Sequence, residues 1–210
     1  MENQLNEQES LRIIKDMIAQ AKERFQKRNG DSIILWGYLI AILAMANFVL
    51  LRTLSAELQP QAYWVWMCTL PAFVIHYIHA ARKARTTCAG SYIDTLVGHT
   101  WLAFYISVAL FIASVFILAV ALRAGGNLFT LIMPVIMSAT GLCLFVNGKA
   151  YRFRPFVYGA IGFWVGALLS AIVVVIWQKQ SLQFLVLAVC MIVGFILPGH
   201  LLNRKARHDV

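Results

Sequence analysis

Six long apolar runs, none with an Asp, Glu, Lys or Arg in its interior, leave this chain few ways to fold. They cover residues 33–51, 62–78, 101–122, 128–146, 156–177 and 182–202. A helix needs about 20 mostly apolar residues to cross the hydrocarbon core of a bilayer, and each run approaches or exceeds that length. The second run is the shortest and carries Pro71 and His76. It still counts as a span, because neighbouring helices can re-satisfy the carbonyl that a proline frees. Composition agrees: 60% of the residues are hydrophobic and only 13% charged, too little polar surface for a soluble globule of this size. Soluble enzymes, disordered regulators and disulfide scaffolds are excluded. The expected fold is an all-α integral membrane protein, a six-transmembrane-helix bundle over residues 32–203.

The few charges set its orientation. Arg12, Lys15, Lys22, Arg24, Lys27 and Arg28 precede the first run, and Arg82, Lys83 and Arg85 follow the second. Lys149, Arg152 and Arg154 follow the fourth, and Arg204, Lys205 and Arg207 the sixth. Only Arg52, Arg123 and Lys179 lie in the intervening loops, so fifteen basic residues stand against three. Cytoplasmic loops carry the excess of Lys and Arg, which places both termini in the cytoplasm and the protein in the plasma (inner) membrane. The net charge of +9 then marks topology and attraction to anionic headgroups, not nucleic acid. The first thirty residues have mixed charge and no apolar core of a cleavable leader, so the first run is expected to be retained.

Residues 1–31 are expected to form a cytoplasmic amphipathic helix, and residues 204–210 a basic tail. Leu11, Ile14, Ile18, Ala21 and Phe25 recur at helical spacing, with charges opposite. Such a helix lies in the headgroup region, packs on a partner helix, including its own copy in a homo-oligomer, or caps the bundle. The interfacial placement is preferred, because the pattern spans only about two heptads.

An internal repeat runs through the chain. The tetrapeptide Arg82-Lys83-Ala84-Arg85 recurs as Arg204-Lys205-Ala206-Arg207, 122 residues on, and Gly37, Gly98 and Gly159 stand 61 apart. Each even-numbered run holds one proline: Pro71, Pro134 or Pro198. Three copies of a two-helix hairpin account for this, although topology rules alone produce part of it.

Chemistry is sparse. The nine acidic residues all fall outside the runs, which argues against ion-coupled transport, where an ionisable group is normally kept at mid-depth. No nucleophile-base pair, phosphate-cradling glycine loop or Cys-x-x-Cys pair is present, so neither catalysis, a cofactor nor a metal is expected. His76, His79, His99 and His200 all approach the basic side and form a candidate proton- or metal-responsive cluster; interfacial histidines bonded to carbonyls or headgroups are the plainer alternative. Asn47, Ser107, Ser114, Thr140 and Ser170 are candidates for a pathway lining or for interhelical packing. Gly162, Gly166 and Ser170 make a small-residue ridge, and Pro198-Gly199 is expected to break the end of the sixth span.

Two functions follow as expectations. One is a non-enzymatic membrane module: an accessory subunit, scaffold or regulator that meets a membrane or cytoplasmic protein at the basic face. The other is a small transporter or channel for a neutral or weakly charged solute. In a chain freed of native cysteines, a cysteine at Lys179 should react with an impermeant maleimide from the side of oriented vesicles opposite to a cysteine at Arg204. Labelling of both from one side would remove a span.

Overall fold

A computed structural model describes residues 7–84, 92–121 and 126–208, with side chains over 12–13, 30–78, 95–121 and 128–204. Every element among the described residues is helical. They are α1 (Glu7–Thr53), a 3-10 segment (Gln59–Cys68), α2 (Thr69–Ala84), α3 (Tyr92–Ala121), a second 3-10 segment (Gly126–Leu131), α4 (Ile132–Ala150), α5 (Arg154–Trp177), α6 (Gln180–Met191), a π-turn (Ile192–Ile196) and α7 (Leu197–His208). Five stretches are long and apolar enough to cross a membrane: Gly30–Thr53, Thr95–Ala121, Leu128–Ala150, Arg154–Trp177 and Gln180–Arg204.

The second apolar run departs from a single α-helix, dividing into the first 3-10 segment and α2. Proline is the reason. Pro71 has no N–H to give Met67, and its ring would clash with that carbonyl in a continuous α-helix. In the structure Pro71 stands in the first turn of α2, where a missing N–H costs nothing. The same holds throughout: Pro60, Pro134, Pro155 and Pro198 all lie within the first three residues of their helical elements. The expected break at Pro198-Gly199 is therefore corrected. The wider π-turn over Ile192–Ile196 absorbs the lost bond and the helix runs on to His208.

The leading helix and the first span form one element. No break separates them, because α1 is continuous over 47 residues, about 70 Å at 1.5 Å per residue. That is more than twice the roughly 30 Å of a hydrocarbon core. The amphipathic segment thus continues the span's own helix. Gly30, at the junction, is buried where α1 crosses α7: an added Cβ would run into the Asn203 side chain, and one on Gly199 would lie 2.6 Å from Ile34 Cγ1.

Contacts along the helices fix their directions. Ser32 meets His76 and Asn47 meets Ala62, so the 3-10 segment and α2 retrace α1. Residues 30–37 of α1 lie against 195–203, so α6–α7 is also antiparallel to α1. The α4–α5 corner is tight, with Phe153 N–H donating to Gly148 O at 2.9 Å and Arg152 N–H to Lys149 O at 3.2 Å. This pair of hydrogen bonds closes a Schellman turn, and Arg152 takes the left-handed conformation there (φ 51°). Lys149, Arg152 and Arg154 accordingly share one end of the bundle with Arg204. Arg52 and Lys179 lie at the other, low-charge end.

Close backbone approach holds the inner helices together. A Cβ on Gly159 would lie 2.8 Å from Gly194 Cα, and one on Gly166 would run into Cys190 Sγ. Gly141 is pressed on Trp164 and Gly148 on Val157, locking α4 to α5, while Gly37 meets Ile196. Gly162, the other glycine of the ridge, keeps ordinary contact with Val193 at 3.5 Å. The outer helices are different. In the α3 stretch only 6% of the best apolar window is buried, against 56% for the last helix, and Gly98 has nothing within 4 Å of an added Cβ. α3 is held at Trp101, which packs on Phe195 of the π-turn.

Gly159→Val should cost about 1–3 kcal/mol, because backbone, not a flexible side chain, occupies the space. Gly98→Ala should leave stability within about 0.5 kcal/mol or raise it. Thermal unfolding of both variants in detergent checks the pair; equal melting points would contradict the inner-outer division.

Candidate functional site

Polar side chains inside the bundle are held mostly by backbone carbonyls. Asn47, fully buried on α1, donates from Nδ2 to Ala62 O at 2.9 Å. It fastens the start of the 3-10 segment to the first span. Thr140 Oγ1 donates to Ile136 O at 2.8 Å and Ser114 Oγ to Leu110 O at 2.8 Å, each within its own helix. Ser107 and Ser114 are exposed on α3. Ser170 is fully buried on α5, and its Oγ has no hydrogen-bond partner. These five candidates line no common passage: two face outward, and the others lie on three different helices.

Between them the centre is filled. Ala44, Met137, Leu144 and Phe163 are each at most 1% exposed, and Phe195 stacks edge-on with Phe163 at 5.8 Å between ring centres. Such a layer excludes water by close packing.

Among the described residues, His76, His99 and His200 are spread around the basic end. His76 Nε2 is 3.3 Å from Ser32 Oγ, and its ring packs edge-on against Trp36. His200 Nε2 is 3.3 Å from Tyr38 Oη. Trp36 and Tyr38 are two residues apart, about 200° around a helix, so α1 stands between the two imidazoles. His99 is exposed at the start of α3. Among the described residues no three His, Cys, Asp or Glu side chains gather at metal-binding distance. The side chains of His79, Leu11, Ile14, Ile18 and Phe25 lie outside the described residues.

Three features escaped the sequence reading. Asn147, 3% exposed near the end of α4, accepts from Trp101 Nε1 at 2.9 Å and donates to Cys143 O at 3.3 Å when its amide is turned to face them. This bond explains why the loosely packed α3 stays attached. Gln183, 4% exposed on α6, donates from Nε2 to Thr130 O at 3.3 Å and to Ser170 O at 3.4 Å, joining α4's 3-10 lead-in to α5. Both amides sit near the ends of apolar runs, where they look like boundary residues.

The third feature is a cleft of about 670 Å³ at the low-charge end. Its polar wall is Gln59, Thr130, Gln178, Lys179, Gln180 and Ser181. Leu51, Val174 and Val175 make the apolar wall. Gln178, at the α5–α6 corner, is left-handed (φ 50°), a conformation that costs a non-glycine residue about 1–3 kcal/mol. The corner thereby turns within two residues and sets the start of α6 at the edge of the cleft. Tyr63 Oη donates to Gln180 Oε1 at 3.3 Å, and Gln59 Nε2 to Leu51 O at 3.5 Å.

No protein-family model matches the chain, and neither a curated protein nor a solved structure does. Asn47→Leu should destabilise the protein by about 1–2 kcal/mol, since the buried bond that fastens the 3-10 segment to α1 is lost. Ser107→Leu, on an exposed face, should change its melting point little; a loss as large as that of Asn47→Leu would place Ser107 in an interior contact.

Proposed function

We propose that this chain is a non-enzymatic membrane module, an accessory subunit, scaffold or regulator that presents its basic end to anionic headgroups and to a membrane or cytoplasmic protein partner. The observation that carries the reading is the solid middle layer of Ala44, Met137, Leu144 and Phe163. A module that acts by contact needs a rigid body, and close-packed helices supply it. Three of the buried amides tie elements together: Asn47 bonds to Ala62, Asn147 to Trp101, and Gln183 to Thr130 and Ser170.

The module crosses the plasma (inner) membrane six times, with both termini cytoplasmic. Supporting the sixth crossing, the 3-10 segment and α2 run back along α1 from Asn47 to Ser32. Supporting the orientation, the clusters that contain Lys149, Arg152, Arg154 and Arg204 share one end, the arrangement that anionic cytoplasmic leaflets favour. Three hairpin copies are supported by a shared local device: Pro71, Pro134 and Pro198 each stand in the first turn of an α-helix that follows a 3-10 or π segment. The equally spaced glycines do not share surroundings, since Gly37 and Gly159 are packed and Gly98 is open. The projecting N-terminal half of α1 carries the partner surface, with Leu11, Ile14, Ile18 and Phe25 as its apolar stripe. A second copy of the chain is one partner such a stripe would accept.

A second reading, a small transporter for a neutral or weakly charged solute, draws on the cleft at the low-charge end. Proteoliposome swelling in glycerol and urea separates the two. The module reading expects rates equal to those of protein-free vesicles; faster swelling that Asn47→Leu abolishes would favour the transporter. Polar replacement of Leu11, Ile14 and Ile18 should abolish a cross-linked partner or dimer while the melting point holds.

A further inference from the structure

We infer that the cleft at the low-charge end is a binding site for a singly charged phosphodiester group, the chemistry common to a phospholipid headgroup and a soluble glycerophosphodiester. The argument begins with charge. Lys179 is the cleft's one ionic side chain, and none of its lining residues is acidic. Among the described residues no carboxylate forms an ion pair with it. One ammonium matches a single negative charge, which a phosphodiester carries and a phosphate monoester exceeds.

Donors surround that ammonium. Lys179 is the N-cap of α6, so the positive end of that helix lies at the edge of the cleft, a setting that favours anions, with Leu182 N–H already donating to Lys179 O at 3.1 Å. Tyr63 occupies the oxygen of the Gln180 amide, which leaves that amide's N–H groups for a ligand. Ser181 and Gln178 add a hydroxyl and a second amide from the two sides of the corner.

A second polar feature lies beneath the lining. Ser170 lies one helical turn below Val174 of the cleft wall, is fully buried, and has an unpartnered Oγ. Gln183 bridges the Ser170 carbonyl to that of Thr130, itself in the lining. A polar seam thus descends from the cleft into an otherwise apolar bundle, ending at a hydroxyl with capacity to spare. The volume, about 670 Å³, falls within the usual range for small-ligand sites. Val175 on the apolar wall is largely exposed, so an acyl chain could leave the cleft along the bundle's outer surface.

The purified full-length protein in detergent tests this by native mass spectrometry and thermal shift. The probes are dihexanoyl-phosphatidylglycerol, glycerophosphoglycerol and a diacylglycerol of the same chain length without phosphate. The proposal expects saturable one-to-one binding of the first, none of the third, and a 5- to 10-fold weaker affinity in Lys179→Gln. Lys149→Gln, at the opposite end, should bind as the unaltered chain does. Equal binding of glycerophosphoglycerol and the lipid would identify the soluble diester as the ligand; binding of the lipid alone would identify the headgroup. Ser181→Trp, which fills the cleft, should abolish binding while its ligand-free melting point stays within a few degrees. Unchanged affinity in Lys179→Gln, or binding by the phosphate-free lipid, would overturn the proposal.

Discussion

The approach of α5 to the last helix at Gly159 and Gly194 is the contact on which the rest of the bundle depends. In a bilayer, lipid tails are as apolar as leucine, so burying side chains between helices gains little by itself. Helices associate through close packing and the hydrogen bonds that it permits. With no Cβ on either residue, the two backbones come near enough for Phe163 and Phe195 to mesh above and beside the crossing. The other inner contacts repeat the device, at Gly141 and Gly148 between α4 and α5 and at Gly30 and Gly199 between α1 and α7. The π-turn follows from the same demand, because it lets the last helix carry Gly194, Pro198 and Gly199 through a curved path without ending.

Polarity is organised around that packing. Inside, each amide answers a particular carbonyl or indole: Asn47 holds Ala62, Asn147 holds Trp101, and Gln183 holds Thr130 and Ser170. At the basic end, Lys149, Arg152, Arg154 and Arg204 gather, and α1 stands between His76 and His200. At the low-charge end, a single lysine stands among amides and hydroxyls over an unpartnered serine. The molecule therefore divides into a basic end, a closely packed middle, and a polar cleft with one positive charge.

Much of the fold was legible because the bilayer imposes simple rules. Long uncharged runs gave the helices, and the sides on which Arg and Lys fall predicted which ends lie together. Gly166 of the Gly162–Gly166–Ser170 ridge lies against Cys190, but the backbone-to-backbone approach is made by Gly159, whose partner Gly194 lies on another helix. Sequence spacing carries no information about such a pair. The 3-10 lead-ins and the π-turn were missed for a similar reason: proline announces a lost bond, but neighbouring helices decide whether the chain breaks, tightens or widens. The continuity of α1 was not legible, since the amphipathic pattern of residues 1–31 and the apolar run that follows look like separate units until Gly30 is seen packed against Asn203 within one helix. The cleft was least legible of all. Gln59, Thr130, Gln178 and Lys179 come from separate loops and helix ends, and only the folded bundle assembles them.

The account stands or falls on the closed middle layer. A structure of the protein in a lipid nanodisc, resolved well enough to place side chains and ordered water, measures it directly. The account predicts continuous side-chain density across Ala44, Met137, Leu144 and Phe163, with water confined to the two ends. A water-filled passage running past Met137 and Leu144 from one end to the other would contradict it.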